Sequence, residues 1–162
     1  YKKNSDPIGY ARSLGVKIGS RCRLVGDVNF GSEPYLISIG DHVSITSSAF
    51  VTHDGGVWVF RDEEPDIDVF KPISIGNNVF IGANCTIMPG TKINNNVVVG
   101  AGSVVLGNLE SNCVYAGVPV KKIKCLEDYR VGLDRGVFRT KKMGLEEKKK
   151  ALLNHFFGMN KK

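Results

Sequence analysis

The chain has 162 residues, 42% of them hydrophobic and 23% charged, with 22 basic against 16 acidic side chains and a net charge of +6. This gives room for one domain with a real core, and it excludes long-range disorder. No apolar run approaches the roughly 18 residues of a membrane span, and no charged-then-apolar leader opens the chain, whose first residue, Tyr1, is what a trimmed or partial chain would show.

In chain order, Asp6-Pro7 is a helix start and Gly15 a stop, so a short helix is predicted near the N-terminus. A six-residue repeat follows. A loose copy runs through Ile18, Leu24 and Phe30, and a tighter one through Ile39, Ile45 and Val51, with Val43, Ala49 and Gly55 four places after each anchor. Past a break, Ile75, Ile81, Ile87, Ile93, Val99 and Val105 fall six apart without a miss. Ile, Val and Leu make up 41 of the 162 residues, so six hits in a chosen register arise by chance roughly once in 4,000. Four places after these anchors sit Val79, Cys85, Thr91, Val97, Ser103 and Leu109, mostly small or β-branched.

Period six is neither a helix nor a simple strand. It suits short flat strands joined by tight corners, three strands to an 18-residue triangular coil, with the anchors stacked inside. Glycine and asparagine accept the left-handed backbone angles that such corners need. The predicted fold is therefore all-β, a parallel β-helix of hexapeptide repeats with about four coils. Residues 54–72 break the pattern. Kept in phase, they would place Glu63 and Arg61 inside an apolar prism, so they are expected to form a long external loop, the kind of excursion that carries function.

After Lys124 the repeat is gone, and Leu145 to Phe157 reads as an amphipathic helix, expected to cover a coil end or a neighbouring chain. The expected organisation is an N-terminal segment 1–17, a β-helix domain 18–124 with its loop 54–72, and a C-terminal helical extension 125–162. Much of the positive charge lies in that extension (Lys141, Lys142, Lys148 to Lys150), where a solvated helix face is the default and phosphate or nucleic acid the alternative. Cys22, Cys85, Cys113 and Cys125 are far apart, with no CxxC and no histidine at ligand spacing, so no metal site is expected, and free thiols fit a reducing cytoplasm.

Four stretches carry a resemblance: Val51-Thr52-His53-Asp54, Ile73 to Ala83, Gly100-Ala101-Gly102-Ser103-Val104, and Tyr115-Ala116-Gly117-Val118-Pro119. Over about residues 16–124 the chain resembles the hexapeptide-repeat acyltransferases with a left-handed parallel β-helix. Within that group it is similar to the galactoside and maltose O-acetyltransferases and to the O-acetyltransferases of capsular and surface polysaccharides. The period speaks only to fold; Thr-His before a loop and Ala-Gly-Val-Pro after the last coil are what imply acetyl-coenzyme A-dependent transfer.

Three histidines are present. His42 follows Asp41 in an outward slot, and His155 lies among lysines and phenylalanines of the terminal helix. His53 lies two residues past the anchor Val51, outside the prism, where the long loop departs, and is the expected general base. A sugar hydroxyl attacks a thioester poorly unless its proton is removed as the C–O bond forms, and imidazole, with a reference pKa near 6.5, can accept that proton at neutral pH. Direct transfer needs no covalent intermediate, so Cys85 and Cys113 are not required as nucleophiles.

The resemblance further implies that Asn29 or Glu33, on the preceding coil, binds the acceptor or orients His53, with Asp54 an alternative orienter that faces the other way on a strand. For the coenzyme it implies Phe80, Ala83, Ala101, Gly102, Ser103 and Gly117, with Lys121 and Lys124 near the nucleotide phosphates. It also implies a cytoplasmic homotrimer with active sites between subunits. Two rivals remain: an N-acetyltransferase of an amino-sugar nucleotide, and a non-catalytic β-helix module whose basic tail docks phosphate or nucleic acid. The last gains little, since no aromatics interleave with the basic clusters.

Overall fold

The computed structural model describes residues 5–133 and 136–158. Helix α1 (Pro7–Ser13) starts where expected: Asp6 Oδ1 accepts the Gly9 N–H at 2.8 Å, Pro7 sits in the first turn, and Gly15 ends it at φ 103°. Then come short strands, none longer than five residues: β1 (Lys17–Ile18), β2 (Arg23–Val25), β3 (Ile37–Ile39), β4 (Val43–Thr46), β5 (Ala49–Phe50), β6 (Ile73–Ile75), β7 (Val79–Ile81), β8 (Thr86–Ile87), β9 (Lys92–Ile93), β10 (Val97–Val99), β11 (Val104–Val105), β12 (Asn108–Leu109), β13 (Cys113–Ala116) and β14 (Lys121–Cys125). They are followed by α2 (Leu126–Val131) and α3 (Leu145–Phe157).

From β3 to β13 the strands sort into three sheets by taking every third one, with β1, β2 and β14 added at the ends. One runs β1-β3-β6-β9-β12, the second β2-β4-β7-β10-β13-β14, the third β5-β8-β11, and every pairing is parallel except β13 with β14. The chain therefore winds as a parallel β-helix, with residues about one coil apart hydrogen-bonded side by side. Ile75 pairs with both Ile39 and Ile93, and Ile81 with both Ile45 and Val99. Stacked anchors make the core: Ile45, Ile81, Ile87, Ile93, Val99 and Val105 are at most 1% exposed, each worth about 1.5–3 kcal/mol of transfer free energy.

The corners explain the asparagines. Arg21, His42, Asn78, Asn96 and Asn112 stack at one corner, all at φ between 55° and 61°, a left-handed conformation asparagine tolerates. Their side chains form a ladder: Asn78 Nδ2 donates to Asn96 Oδ1 and Asn96 Nδ2 to Asn112 Oδ1, each at 2.9 Å. At the next corner Ser47, Asn84 and Gly102 repeat the conformation, linked through the Asn84 N–H to the Ser47 carbonyl (2.9 Å) and the Gly102 N–H to the Ala83 carbonyl (2.8 Å).

Two expectations need correction. The repeat places Val51 and Gly55 inside, but the buried residues there are Ser48, Phe50 and Thr52. The corner at Thr46-Ser47-Ser48 is one residue shorter than its neighbour at Gly82 to Cys85, so Phe50, not Val51, pairs with Ile87. Phe30 stacks on Phe50 with ring centroids 5.3 Å apart. Second, the chain does not simply leave the repeat at Lys124: after Pro119 it turns back, and β14 runs antiparallel along β13.

The chain divides into two compact units after Tyr129. In the second, α3 occupies the predicted span and ends at Gly158 (φ 62°), and Phe138 packs edge-on against His155 at 4.8 Å. No helix among the described residues is long and apolar enough to cross a membrane.

Candidate active site

The short corner decides what faces outward. With Phe50 inside, the alternation continues with Thr52 fully buried and His53 outside, its side chain 42% exposed. At that point the chain leaves the prism. The excursion is closed at its base, because Asp54 N–H donates to the Val69 carbonyl (2.8 Å), Lys71 N–H donates to the Thr52 carbonyl (2.9 Å), and His53 bridges Phe70 in antiparallel fashion. Residues 54–70 thus form a loop with its ends zipped together, opened by a 3-10 turn (Gly55–Phe60) that Asp54 caps through its Oδ1 and the Gly56 N–H at 2.9 Å.

From the coil below comes Glu33. Asn29 Oδ1 accepts the Gly31 N–H at 2.9 Å, and Gly31 (φ 68°) lies so close to the Phe50 carbonyl that a Cβ would come within 2.8 Å of its oxygen. This turn brings Glu33, its side chain only 14% exposed, against the next coil. Glu33 Oε2 accepts the Thr52 hydroxyl at 2.6 Å and lies 3.1 Å from His53 Nδ1. The Thr52 hydroxyl above all, and then His53, hold the Glu33 carboxyl below its ordinary value, outweighing the opposing effect of burial. An ionised carboxylate only accepts, so Nδ1–H donates and the lone pair is left on Nε2.

His53, Glu33 and Ser32 line a cavity of about 350 Å³ whose other walls are the loop. Trp58, 73% exposed, and Phe70, 49% exposed, form its apolar part together with Val57 and Val69. Arg61 donates through Nη2 to Asp68 Oδ1 at 2.7 Å and to the Ile67 carbonyl at 3.4 Å, and its Cζ lies 6.0 Å from the Trp58 ring centre.

Of the residues singled out from sequence, the structure joins His53, Glu33 and Asp54 in this cavity, with only Glu33 bonded to the imidazole. Asn29 holds its own turn instead. Ala83, Ala101, Gly102 and Gly117 lie together at one corner of the prism, linked by the Gly102–Ala83 bond and by the Val104 N–H to the Gly117 carbonyl at 3.1 Å. Ser103 there is fully buried; its hydroxyl donates to the Gly100 carbonyl (2.7 Å) and accepts the Gly117 N–H (3.1 Å), so it supports the corner from within. Lys121 and Lys124 are exposed on β14. Phe80, 42% exposed, lies on the outer face of β7 and lines a different cavity of about 470 Å³ with Arg21, Arg23 and His42. His42 Nδ1 is 2.9 Å from Asn78 Oδ1 at the head of the corner ladder. Trp58, Arg61, Asp68 and Phe70 were not singled out as site residues from the sequence, and Thr52 entered only as part of the Thr-His motif. The chain's one tryptophan, in the Val57-Trp58-Val59-Phe60 run of a loop that the repeat leaves outside the prism, was the available signal.

Comparison with known proteins bears on this arrangement. The family described as Bacterial transferase hexapeptide (six repeats) matches residues 72–107. The chain is 55% identical over 148 residues to Protein CapG of Staphylococcus aureus, covering 90% of this chain and 86% of that one. It is 37% identical over 97 residues to the galactoside O-acetyltransferase of Escherichia coli K12, covering 59% of this chain but only 47% of the relative, so the chain spans about half of that enzyme's length. A solved maltose O-acetyltransferase from Clostridium difficile 630 superposes with a TM-score of 0.57 at 26% identity, over 72% of this chain and 73% of that one.

Proposed function

Because the chain belongs to the hexapeptide-repeat family of bacterial transferases, whose fold is the left-handed β-helix, we propose that it moves an acetyl group from acetyl-coenzyme A to a saccharide hydroxyl, with His53 as general base. The observation that carries the mechanism is the contact of His53 Nδ1 with the ionised Glu33 at the mouth of a cavity. Nε2 takes the hydroxyl proton while the sugar oxygen attacks the thioester carbonyl, and Glu33 stabilises the imidazolium that forms. The tetrahedral oxyanion then collapses, the C–S bond breaks, and the coenzyme thiolate takes the proton back from His53. No covalent enzyme intermediate arises.

Acetyl-coenzyme A is the donor. Its pantetheine arm is assigned to the corner of Ala83, Ala101, Gly102 and Gly117, where small side chains leave main-chain groups within reach. Its phosphates are assigned to Lys121 and Lys124, exposed cations whose attraction is salt-sensitive. Residues 18–124, with loop 54–72, constitute the transferase domain in about four coils, flanked by 1–17 and 125–162. His53 stands open to solvent on a single chain, and a base works better where water is excluded. This supports a homotrimer with sites between subunits, acting in the cytoplasm where acetyl-coenzyme A is supplied.

The test is thiol release from acetyl-coenzyme A over a panel of mono- and oligosaccharides, wild type beside His53→Ala. Sugar-dependent release that falls by roughly 100-fold or more in the variant is the expected result. Equal turnover in the two proteins refutes His53 as the base. Coenzyme binding without turnover on any saccharide points to the amino-sugar or binding-module alternatives.

A further inference from the structure

The chain as a whole is basic, yet the loop beside His53 is not. Residues 54–68 hold six carboxylates against the single cation Arg61, in a protein of net charge +6. Within the cavity the charged groups are Glu33, Asp54, Asp68 and Arg61, and Arg61 is already bound by Asp68 at 2.7 Å. The Thr52 hydroxyl and His53 Nδ1 hold Glu33, and Asp54 caps a backbone N–H. Two carboxylates thus remain without a lysine or arginine partner, and among the described residues lining the cavity Arg61, already paired with Asp68, is the single guanidinium or ammonium group. Beside them stands Trp58, a large, flat, exposed ring in the cavity wall, flanked by the Arg61 guanidinium.

An aromatic face beside hydrogen-bonding carboxylates is the chemistry that receives a pyranose ring: C–H groups of one sugar face lie on the indole, and hydroxyls donate to carboxylate oxygens. Resting on the saccharide reading above, we propose that this cavity is the acceptor subsite, that Trp58 is its stacking platform, and that the ring it accepts carries no negative charge. A neutral hexose or a protonated amino sugar fits. A uronate or a sugar phosphate would bring an anion against a wall in which Glu33, Asp54 and Asp68 outnumber the one guanidinium, Arg61, itself already paired with Asp68, which is specificity by exclusion.

Trp58 is the only tryptophan in the chain, so its emission reports this subsite without any turnover. The protein, without donor, is titrated with the methyl glycosides of a hexose, the matching 2-amino sugar and the matching uronate. The expected result is an emission change with the first two, and a uronate affinity at least ten-fold weaker at low salt. That gap narrows in 0.5 M salt and in Asp68→Asn, which frees the Arg61 charge. With donor present, Trp58→Ala should raise the acceptor KM about ten-fold while kcat stays within about three-fold, since stacking is made equally in ground and transition states. A uronate that moves the emission at equal or lower concentration overturns the charge assignment. Sugars that are acetylated without any change in Trp58 emission overturn the platform. Emission that responds to neutral sugars while thiol release stays sugar-independent keeps the subsite and refutes the transferase reading instead.

Discussion

Replacing Glu33 probes the site more finely than removing the base. Glu33→Gln is nearly isosteric and keeps a carbonyl oxygen that can accept from Thr52 and from His53 Nδ1, so packing and orientation survive while the charge is lost. A hydrogen bond to an ionised acceptor is about twice as strong as a neutral one, and the difference counts most when the imidazole is protonated in the transition state. Expected is a fall of roughly 10- to 100-fold in kcat/KM, carried mainly by kcat. Glu33→Ala goes further: the Thr52 hydroxyl, 0% exposed, loses its acceptor and the imidazole loses its anchor, so activity should approach that of His53→Ala, about 10²- to 10⁴-fold down. Steady-state thiol release, with both substrates varied, separates the two. If Glu33→Gln stays within two-fold of wild type while His53→Ala is inactive, Glu33 plays no part in the transition state and the dyad is incidental.

The same carboxylate predicts a pH dependence of stability. Its native pKa is lowered, chiefly by Thr52 and then by His53, so the unfolded chain binds its proton at a higher pH than the native one. The stabilisation is therefore complete above the ordinary glutamate value of about 4.3 and is lost as the pH falls through the lowered native value. Melting curves of wild type and Glu33→Gln should differ most at neutral pH and converge as the pH falls below the ordinary glutamate value. A difference that grows on acidification would contradict the assignment.

Three further outcomes follow from the coil geometry. Ile81→Ala, at a fully buried anchor paired on both sides, should cost about 2–5 kcal/mol, a drop of roughly 4–20 °C in Tm; a change below 2 °C would mean that the core is loosely packed. Gly82→Ala should also destabilise, by roughly 1–3 kcal/mol, because its Cβ would lie 2.5 Å from the Ala101 backbone nitrogen and force two coils apart; unchanged melting refutes that contact. Among the cysteines, burial pushes the Cys85 thiol up, so maleimide followed by peptide mass mapping should mark exposed Cys125 in the native protein and Cys85 only after unfolding. Labelling of both at one rate would show that the small inward slot is open.

What the sequence made legible was whatever repeats. An inward anchor recurs once per strand, so a count of six exposed the series from Ile75 to Val105, and the helix Leu145–Phe157 announced itself by its amphipathic period. The phase failed where one residue was missing. The shortened corner cannot be read from Thr46-Ser47-Ser48-Ala49, because all four are small enough for either an inward slot or a corner, and only Ser47 at φ 37° shows which was used. Loop residues such as Trp58 and Arg61 have no period at all, and their roles depend on where the closed base of the loop sends them.

Glu33 is the instructive case. In a coil, an outward side chain has its lateral neighbours one turn away, about 18 residues before or after, and not beside it in sequence. For His53 that window opens on Ser32, Glu33, Pro34 and Tyr35 in the preceding coil, and Glu33 is the only carboxylate there. Asp54, adjacent in sequence, bonds to the Gly56 N–H and not to the imidazole. The partner of an outward base in such a fold is therefore found by counting turns, and the 20-residue separation of the His53–Glu33 contact is that count with two residues to spare for the Gly31 turn.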